Sequence, residues 1–363
     1  NVTCFFTKNR YAAAPVVVAK ENLSAGSARY LVVNSGNANA GLGSDGIIAA
    51  QEVCNAVASE GQCNSKDVIP FSTGVIGEPL DYLKICAAIP SVFSTLNENN
   101  WQNAAKAIMT TDTFPKIRSL REELDNDEMV VTGIAKGSGM IRPNMATMLS
   151  YVGTNASLSK DLAYEIGLEA LNTSFNRITV DGETSTNDAF VLISTGSLHG
   201  KIIQSVSDSR FQNVLECVLQ VTRGLSKDIV RDGEGATKLV SINVVGANSE
   251  DDALKVAYAV AESSLVKTAM FAEDPNWGRI LSAIGASDAK KLDFSKVDLS
   301  IGANKVVSKG SLVKDYVEKK VRTVMETSEY NITISLNLGS DCVTVWTCDL
   351  SYDYVKINAE YRT

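Results

Sequence analysis

The apolar positions of this chain fall into short runs and helical spacings that alternate, with glycine- and asparagine-rich breaks between them. Asn1-Val2-Thr3-Cys4-Phe5-Phe6 reads as a strand already under way, so an upstream segment is expected to precede it. Tyr30–Val33 is a short apolar strand, followed by a Gly/Asn loop over 34–43. Ile47, Ala50, Val53, Cys54 and Val57 recur at helical spacing and predict a helix over 47–58. Val68–Phe71 predicts a strand that runs into a Ser72-Thr73-Gly74 turn, and helices are expected over 79–95 and 99–109. A polar turn at 125–128 precedes a strand over 129–135.

The second half opens with a predicted strand over 147–152. A helix over 158–174 follows, with Ser157 or Ser159 as its N-cap. Residues 181–188 form a loop bounded by Arg177–Val180 and a strand at Ala189–Ser194. A helix near 209–228, a strand over 238–245 and a strand-rich stretch over 330–358 complete the pattern. This alternation predicts a layered α/β (α+β) fold whose halves share their layers rather than forming separate beads.

Composition narrows the function. The chain has 363 residues, 45% hydrophobic and 21% charged, as in globular proteins of more than one packed unit. No apolar run reaches the roughly eighteen residues that a membrane helix needs, so a soluble, membrane-free protein is expected. The formal charge is −8 with no Lys/Arg cluster, which argues against nucleic acid as a partner. Seven cysteines without a C-x-x-C pair suit a reduced, cytoplasm-like compartment. There is one histidine, His199, in a turn-like Gly196–Gly200 segment. A His-rich metal site is excluded, and a histidine-based nucleophile would rest on that residue alone.

Chemistry that needs no histidine is available. In the stretch over 137–149 a turn-prone leader feeds an apolar strand that begins at Thr147. A hydroxyl at such a junction can attack the preceding carbonyl, here that of Ala146, and the ester formed is then hydrolysed. The new terminal threonine carries both a hydroxyl and an α-amine that can serve as its base. A threonine heading an ordinary strand fits the same spacing. Ser72-Thr73-Gly74 can aim a hydroxyl and a backbone N–H at one point, as an oxyanion hole requires, or can be the N-capped start of a helix. The loop over 34–43 lacks the features of a nucleotide-binding loop. Thr110-Thr111-Asp112-Thr113 is a hydroxyl cluster or a capping turn, and Lys136 is a binding cation or a solvated surface lysine. Glu234, between two glycines, can meet a substrate amine or can join Arg231, Asp232 and Lys238 in a surface salt-bridge group.

Taken together, eight segments resemble the ornithine acetyltransferase family, the ArgJ-type proteins of arginine biosynthesis. They are NSGNANA (34–40), STGVIG (72–77), TTDTFPK (110–116), KGSGMIRPNMATML (136–149), TVDGETSTND (179–188), DGEGATK (232–238), AEDPNWGRI (272–280) and INAEYRT (357–363). The resemblance implies a self-processing, N-terminal-nucleophile-type acyltransferase of ArgJ/DmpA-like architecture. Residues 1–146 would be the alpha fragment and 147–363 the beta fragment, intertwined after cleavage between Ala146 and Thr147 and assembled as a heterotetramer of two of each. Thr147 would be the nucleophile, and Thr73 and Gly74 the oxyanion hole. Thr110, Lys136, Thr147, Glu234, Asn358 and Thr363 would bind the amino-acid substrate, with Thr111 the adjacent alternative to Thr110. The implied reaction moves the acetyl group of N-acetylornithine to glutamate by a ping-pong route. It needs no metal or cofactor, acetyl-CoA being a possible second donor. The enzyme would be cytoplasmic, or placed in the mitochondrial matrix or a plastid in a eukaryote. Gly41 and Arg142 depart from the common family pattern without touching a proposed role. The rival enzyme is a self-cleaving aminopeptidase or amidase, in which water deacylates the nucleophile. The rival of another class is a non-catalytic small-molecule binding protein.

Overall fold

The computed structural model describes residues 1–125, 127–142, 148–198 and 200–360. Their strands, in chain order, are β1 (Val2–Phe6), β2 (Tyr30–Asn37), β3 (Val68–Val75), β4 (Lys116–Leu124), β5 (Asp127–Lys136), β6 (Leu149–Thr154), β7 (Ile178–Thr179) and β8 (Ala189–Ser194). They continue with β9 (Leu239–Ala247), β10 (Asp298–Ile301), β11 (Asn304–Ser308), β12 (Ser311–Leu312), β13 (Glu329–Ser335) and β14 (Asp341–Cys348). The helices are α1 (Ala14–Ala25), α2 (Gly43–Gly61), α3 (Tyr82–Phe93), α4 (Trp101–Ala107), α5 (Lys160–Thr173) and α6 (Phe211–Arg231). Then come α7 (Glu250–Ala261), α8 (Ser264–Phe271), α9 (Trp277–Gly285), α10 (Glu318–Met325) and α11 (Tyr352–Ala359). The chain divides into two units, Asn1–Asn176 with Glu183–Ile229, and Arg177–Gly182 with Val230–Thr363.

The first unit is layered α/β, as the alternation predicts. Its main sheet runs β1-β8-β6-β5-β4, and β2 and β3 form a separate parallel pair. β3 is covered on both faces, which explains its unbroken apolar run. Ile69 and Phe71 pack with Phe6, Ile134, Leu149, Tyr151 and Val191 of the main sheet. Val68 instead packs among Val53 and Val57 of α2 and Ile89 of α3. The opposite face of the main sheet carries α5 and α6, and a Cβ at Gly133 would sit 2.9 Å from Leu225 and 3.1 Å from Val221. This sheet takes β1, β4 and β5 from before the Ala146–Thr147 junction and β6 and β8 from after it. The unit therefore draws on both halves of the sequence.

The second unit is built on a sheet of order β12-β11-β10-β13-β9-β14-β7. Val240, Ile242 and Val244 of β9 and Ile332 and Ile334 of β13 pack against Val256 and Val260 of α7 and Ile280 and Ile284 of α9.

Several expected elements are corrected. β2 continues to Asn37, so only the end of the predicted Gly/Asn loop is a loop, and β3 continues through Ser72, Thr73 and Gly74 to Val75. The helix start after β3 lies later, with Asp81 capping α3 by accepting from the Lys84 N–H at 3.2 Å. β4, which the pattern leaves unassigned, is an edge strand whose exposed charges blur the alternation. The stretch over 330–358 ends in helix α11 rather than strand. Its aromatic and β-branched content mimics a strand, yet Ser351 caps it, accepting from the Tyr354 N–H at 3.4 Å. Ser159, one of the two candidate caps, is the N-cap of α5.

Candidate active site

Thr73, Thr110 and Lys136 of the first unit converge from two strands, β3 and β5, and from the turn that follows α4. In β3 the alternation that turns Ile69 and Phe71 toward the main sheet also turns Thr73 that way. In β5, Ile134 and Lys136 share the face that looks back at β3. Lys136 closes β5, and its ammonium donates to the Thr73 hydroxyl at 3.1 Å and to the Thr110 hydroxyl at 2.9 Å. The lysine is 9% exposed, so it is not a solvated surface lysine. Of the two hydroxyls that the TTDT segment leaves open, that of Thr110 accepts this bond. Leu149, two positions after Thr147 in the chain, is the register partner of Lys136 on the neighbouring strand.

Gly74 follows Thr73 with φ +133°, in register with Gly36, which has φ +91°. A Cβ on Gly74 would lie 2.2 Å from the Gly36 carbonyl carbon, so only glycine fits this close backbone approach. The loop beside it is tightly braced. Asn39 takes a left-handed φ of +48° and donates its amide to the Gly46 carbonyl at 2.9 Å. Asn187 reaches from the TVDGETSTND segment to the carbonyls of Ala38 at 2.6 Å and Ser72 at 2.9 Å. Asn187 was not among the expected site residues, although a polar Asn-Asp pair just before an apolar strand is a visible signal.

Asp112 is a second residue that the sequence reading passes over. Its carboxylate pairs with the Lys116 ammonium at 2.6 Å and accepts from the Gly137 N–H at 2.8 Å and the Thr110 N–H at 3.1 Å. Lys136 lies 3.9 Å from it. Burial works to raise the Asp112 pKa, but Lys136, Lys116 and the Gly137 N–H outweigh it and hold the carboxyl below its usual range.

In the second unit, Glu234 is 8% exposed and accepts from the Asn358 side-chain amide at 2.9 Å, so two expected binding residues meet. Nearby, Arg231 pairs with Glu329 at 2.9 Å and Lys238 with Glu273 at 2.7 Å. The turn that holds Glu234 is fixed from the start of α11. Asp349 accepts from the N–H groups of Thr237 at 2.8 Å and Lys238 at 2.9 Å, and Ser351 donates to the Gly235 carbonyl at 2.6 Å. Gly235 has φ +68°, and a Cβ there would lie 2.5 Å from the Tyr354 nitrogen. Ala146, Thr147, His199 and Thr363 lie outside the described residues.

Comparison with known proteins gives this arrangement its context. The sequence profile of the ArgJ family matches residues 1–363. The arginine biosynthesis bifunctional protein ArgJ of Pseudomonas fluorescens is 47% identical over 358 residues, covering 99% of this chain and 88% of that protein. The protein of the same name from Psychrobacter arcticus is 49% identical over 358 residues, covering 98% of this chain and 88% of that one. A crystal structure of arginine biosynthesis bifunctional protein ArgJ from Bacillus halodurans superposes with a TM-score of 0.57 at 36% identity. It covers 59% of this chain and 100% of that one. Among the described residues no helix is long and apolar enough to cross a membrane. This chain belongs to the ArgJ family and is an acetyltransferase of arginine biosynthesis.

Proposed function

We propose that this enzyme transfers the acetyl group of N-acetylornithine to glutamate through an acetyl ester on Thr147. The observation that carries the reading is the Lys136 ammonium seated between the hydroxyls of Thr73 and Thr110, beside the Gly36–Gly74 backbone approach, in a chain of the ArgJ family. By donating to the Thr73 oxygen, Lys136 leaves the Thr73 proton to be given elsewhere. A hydroxyl donor followed by the bare backbone of Gly74 is the equipment of an oxyanion hole.

The proposed sequence begins with maturation. The Thr147 hydroxyl attacks the Ala146 carbonyl, the peptide shifts to an ester, and water releases fragments 1–146 and 147–363. Strands from both fragments interleave in one sheet, which supports their staying together as the halves of a heterotetramer. In catalysis the Thr147 amine takes the hydroxyl proton as oxygen attacks the acetyl carbonyl. Thr73 and Gly74 receive the developing charge, and the proton passes to the departing ornithine amine. The amine of glutamate then attacks the acetyl ester, and N-acetylglutamate leaves. In this reading Thr110, Lys136, Glu234, Asn358 and Thr363 hold the amino-acid substrate, with buried Glu234 suited to a substrate ammonium. The chemistry requires no metal or cofactor, and acetyl-CoA enters as a possible second donor. We place the enzyme in the cytoplasm, where its seven unpaired thiols are stable.

The test is purified protein with N-acetylornithine and glutamate, with and without acetyl-CoA. Glutamate-dependent release of ornithine, with parallel double-reciprocal plots, is expected. Release that ignores glutamate identifies an amidase. Ligand binding by an uncleaved chain without turnover identifies a binding protein.

A further inference from the structure

We propose that Asp112 is a positioning residue for acetyl transfer, holding the Lys136 ammonium against Thr73 and Thr110 and fixing the backbone where the leader to Thr147 begins. The inference rests on the function proposed above and adds a residue that the motif reading left without a role. Asp112 lies in the turn between α4 and β4, and its side chain is fully enclosed. Each carboxylate oxygen has a separate task. Oδ1 receives the Lys116 ammonium at 2.6 Å and the Gly137 N–H at 2.8 Å. Oδ2 receives the Thr110 N–H at 3.1 Å and lies 3.9 Å from the Lys136 ammonium. One side chain thus ties the turn that carries Thr110, the first residue of β4 and the residue that follows β5.

The geometry at Gly137 shows why a tie is needed there. Its φ of +153° takes the chain out of β5 toward Ile141, which is fully buried, and a Cβ at Gly137 would lie 2.9 Å from the Ile141 side chain. A glycine has many backbone alternatives, and an N–H bond to an enclosed carboxylate selects one of them. Asp112 does not act as a base, since two ammonium groups and two N–H donors all favour its ionised form. Its work is carried out through Lys136 and Gly137.

The competing account is that Asp112 only neutralises Lys116, which is also fully enclosed. The two accounts separate in a pair of variants, D112N and D112N/K116M, compared with wild type. The first keeps an acceptor for Gly137 but removes the negative charge beside Lys116. The second removes both charges together, a change that folded proteins tolerate far better than loss of one. Two readouts are taken on folded protein: kcat/KM for acetyl transfer, and the rate of reductive methylation of Lys136 by peptide mass spectrometry. Positioning predicts that the double variant recovers thermal stability. Its kcat/KM remains reduced on the order of a hundredfold, the usual cost of a small misplacement in an active site, and Lys136 is methylated faster than in wild type. A double variant with wild-type kcat/KM and wild-type methylation overturns the proposal in favour of simple neutralisation, as does a D112N enzyme that matches wild type in both. Absence of acetyl transfer by wild-type enzyme refutes the function reading instead. The methylation rates then decide by themselves whether Asp112 holds Lys136.

Discussion

Two buried lysines invite comparison. Lys136, in the first unit, donates to the hydroxyls of Thr73 and Thr110. Lys267, in α8 of the second unit, is 3% exposed and donates to the Cys348 carbonyl, to the Thr347 hydroxyl at 3.1 Å and to the Cys348 thiol at 3.6 Å. Burial is similar, but the surroundings are not. Lys267 ties its helix to β14, and the Thr347 hydroxyl it meets is committed to the Ala261 carbonyl at 2.9 Å. Burial raises the Cys348 thiol above its ordinary pKa despite the nearby ammonium, so that sulfur is no nucleophile at neutral pH. Lys136 instead meets hydroxyls next to a glycine pair with exposed backbone geometry. A buried cation marks chemistry only when its partners can still act on something else.

The comparison can be broken or sharpened by experiment. The largest effect is expected at Thr147, whose function the Lys136 cluster is proposed to serve. Thr147→Ala leaves one uncleaved chain without activity, whereas wild type gives fragments of 146 and 217 residues. Denaturing gels with intact mass measurement decide this, and a wild-type chain that stays whole refutes maturation. Next, Thr73→Ala removes one oxyanion donor and costs about 3 kcal/mol, or two to three decades in kcat. A raised KM at unchanged kcat means that Thr73 binds or braces instead.

Lys267→Met tests the other lysine. It leaves the Cys348 carbonyl without this donor, for a loss of about 1–3 kcal/mol in stability. The folded variant keeps wild-type kcat/KM per active site. A large drop in kcat/KM, with the thermal midpoint unchanged, removes the distinction between the two lysines.

Acid titration probes the Asp112 cluster. Because its folded pKa is depressed, its contribution is fully present above the unfolded carboxyl value of about 3.9 and is lost as pH falls through the lower folded value. Acid unfolding followed by circular dichroism is therefore expected to be less steep below about pH 4 in D112N/K116M than in wild type. Equal steepness shows that Asp112 adds nothing to acid sensitivity.

The smallest effect is expected at His199. The base in the proposed mechanism is the α-amine of Thr147, whose ordinary pKa is about 7.7–8.0. The rate should rise with pH through one ionisation in the neutral region, and His199→Gln should leave that profile in place. A folded, processed His199 variant that loses orders of magnitude in rate makes histidine the base.

The sequence by itself determined the alternation of strands and helices, the family, and the residues that carry its motifs. Those signals are local: period-2 and period-3.6 patterning, glycines where no side chain fits, and Ser159 at a helix start. Where local signals are ambiguous, the pattern fails. β4 is an edge strand with charged, exposed faces, and α11 carries strand-forming residues that its Ser351 cap turns into a helix. The tertiary structure alone decided that Thr73, Thr110 and Lys136 share one hydrogen-bonded cluster and that Glu234 meets Asn358. It also decided that Asp112 and Asn187 brace segments far from them in sequence. Aspartate in a turn and lysine at a strand end look like surface residues until the strands that bury them are paired. Pairing depends on contacts between distant parts of the chain, and no local window contains them.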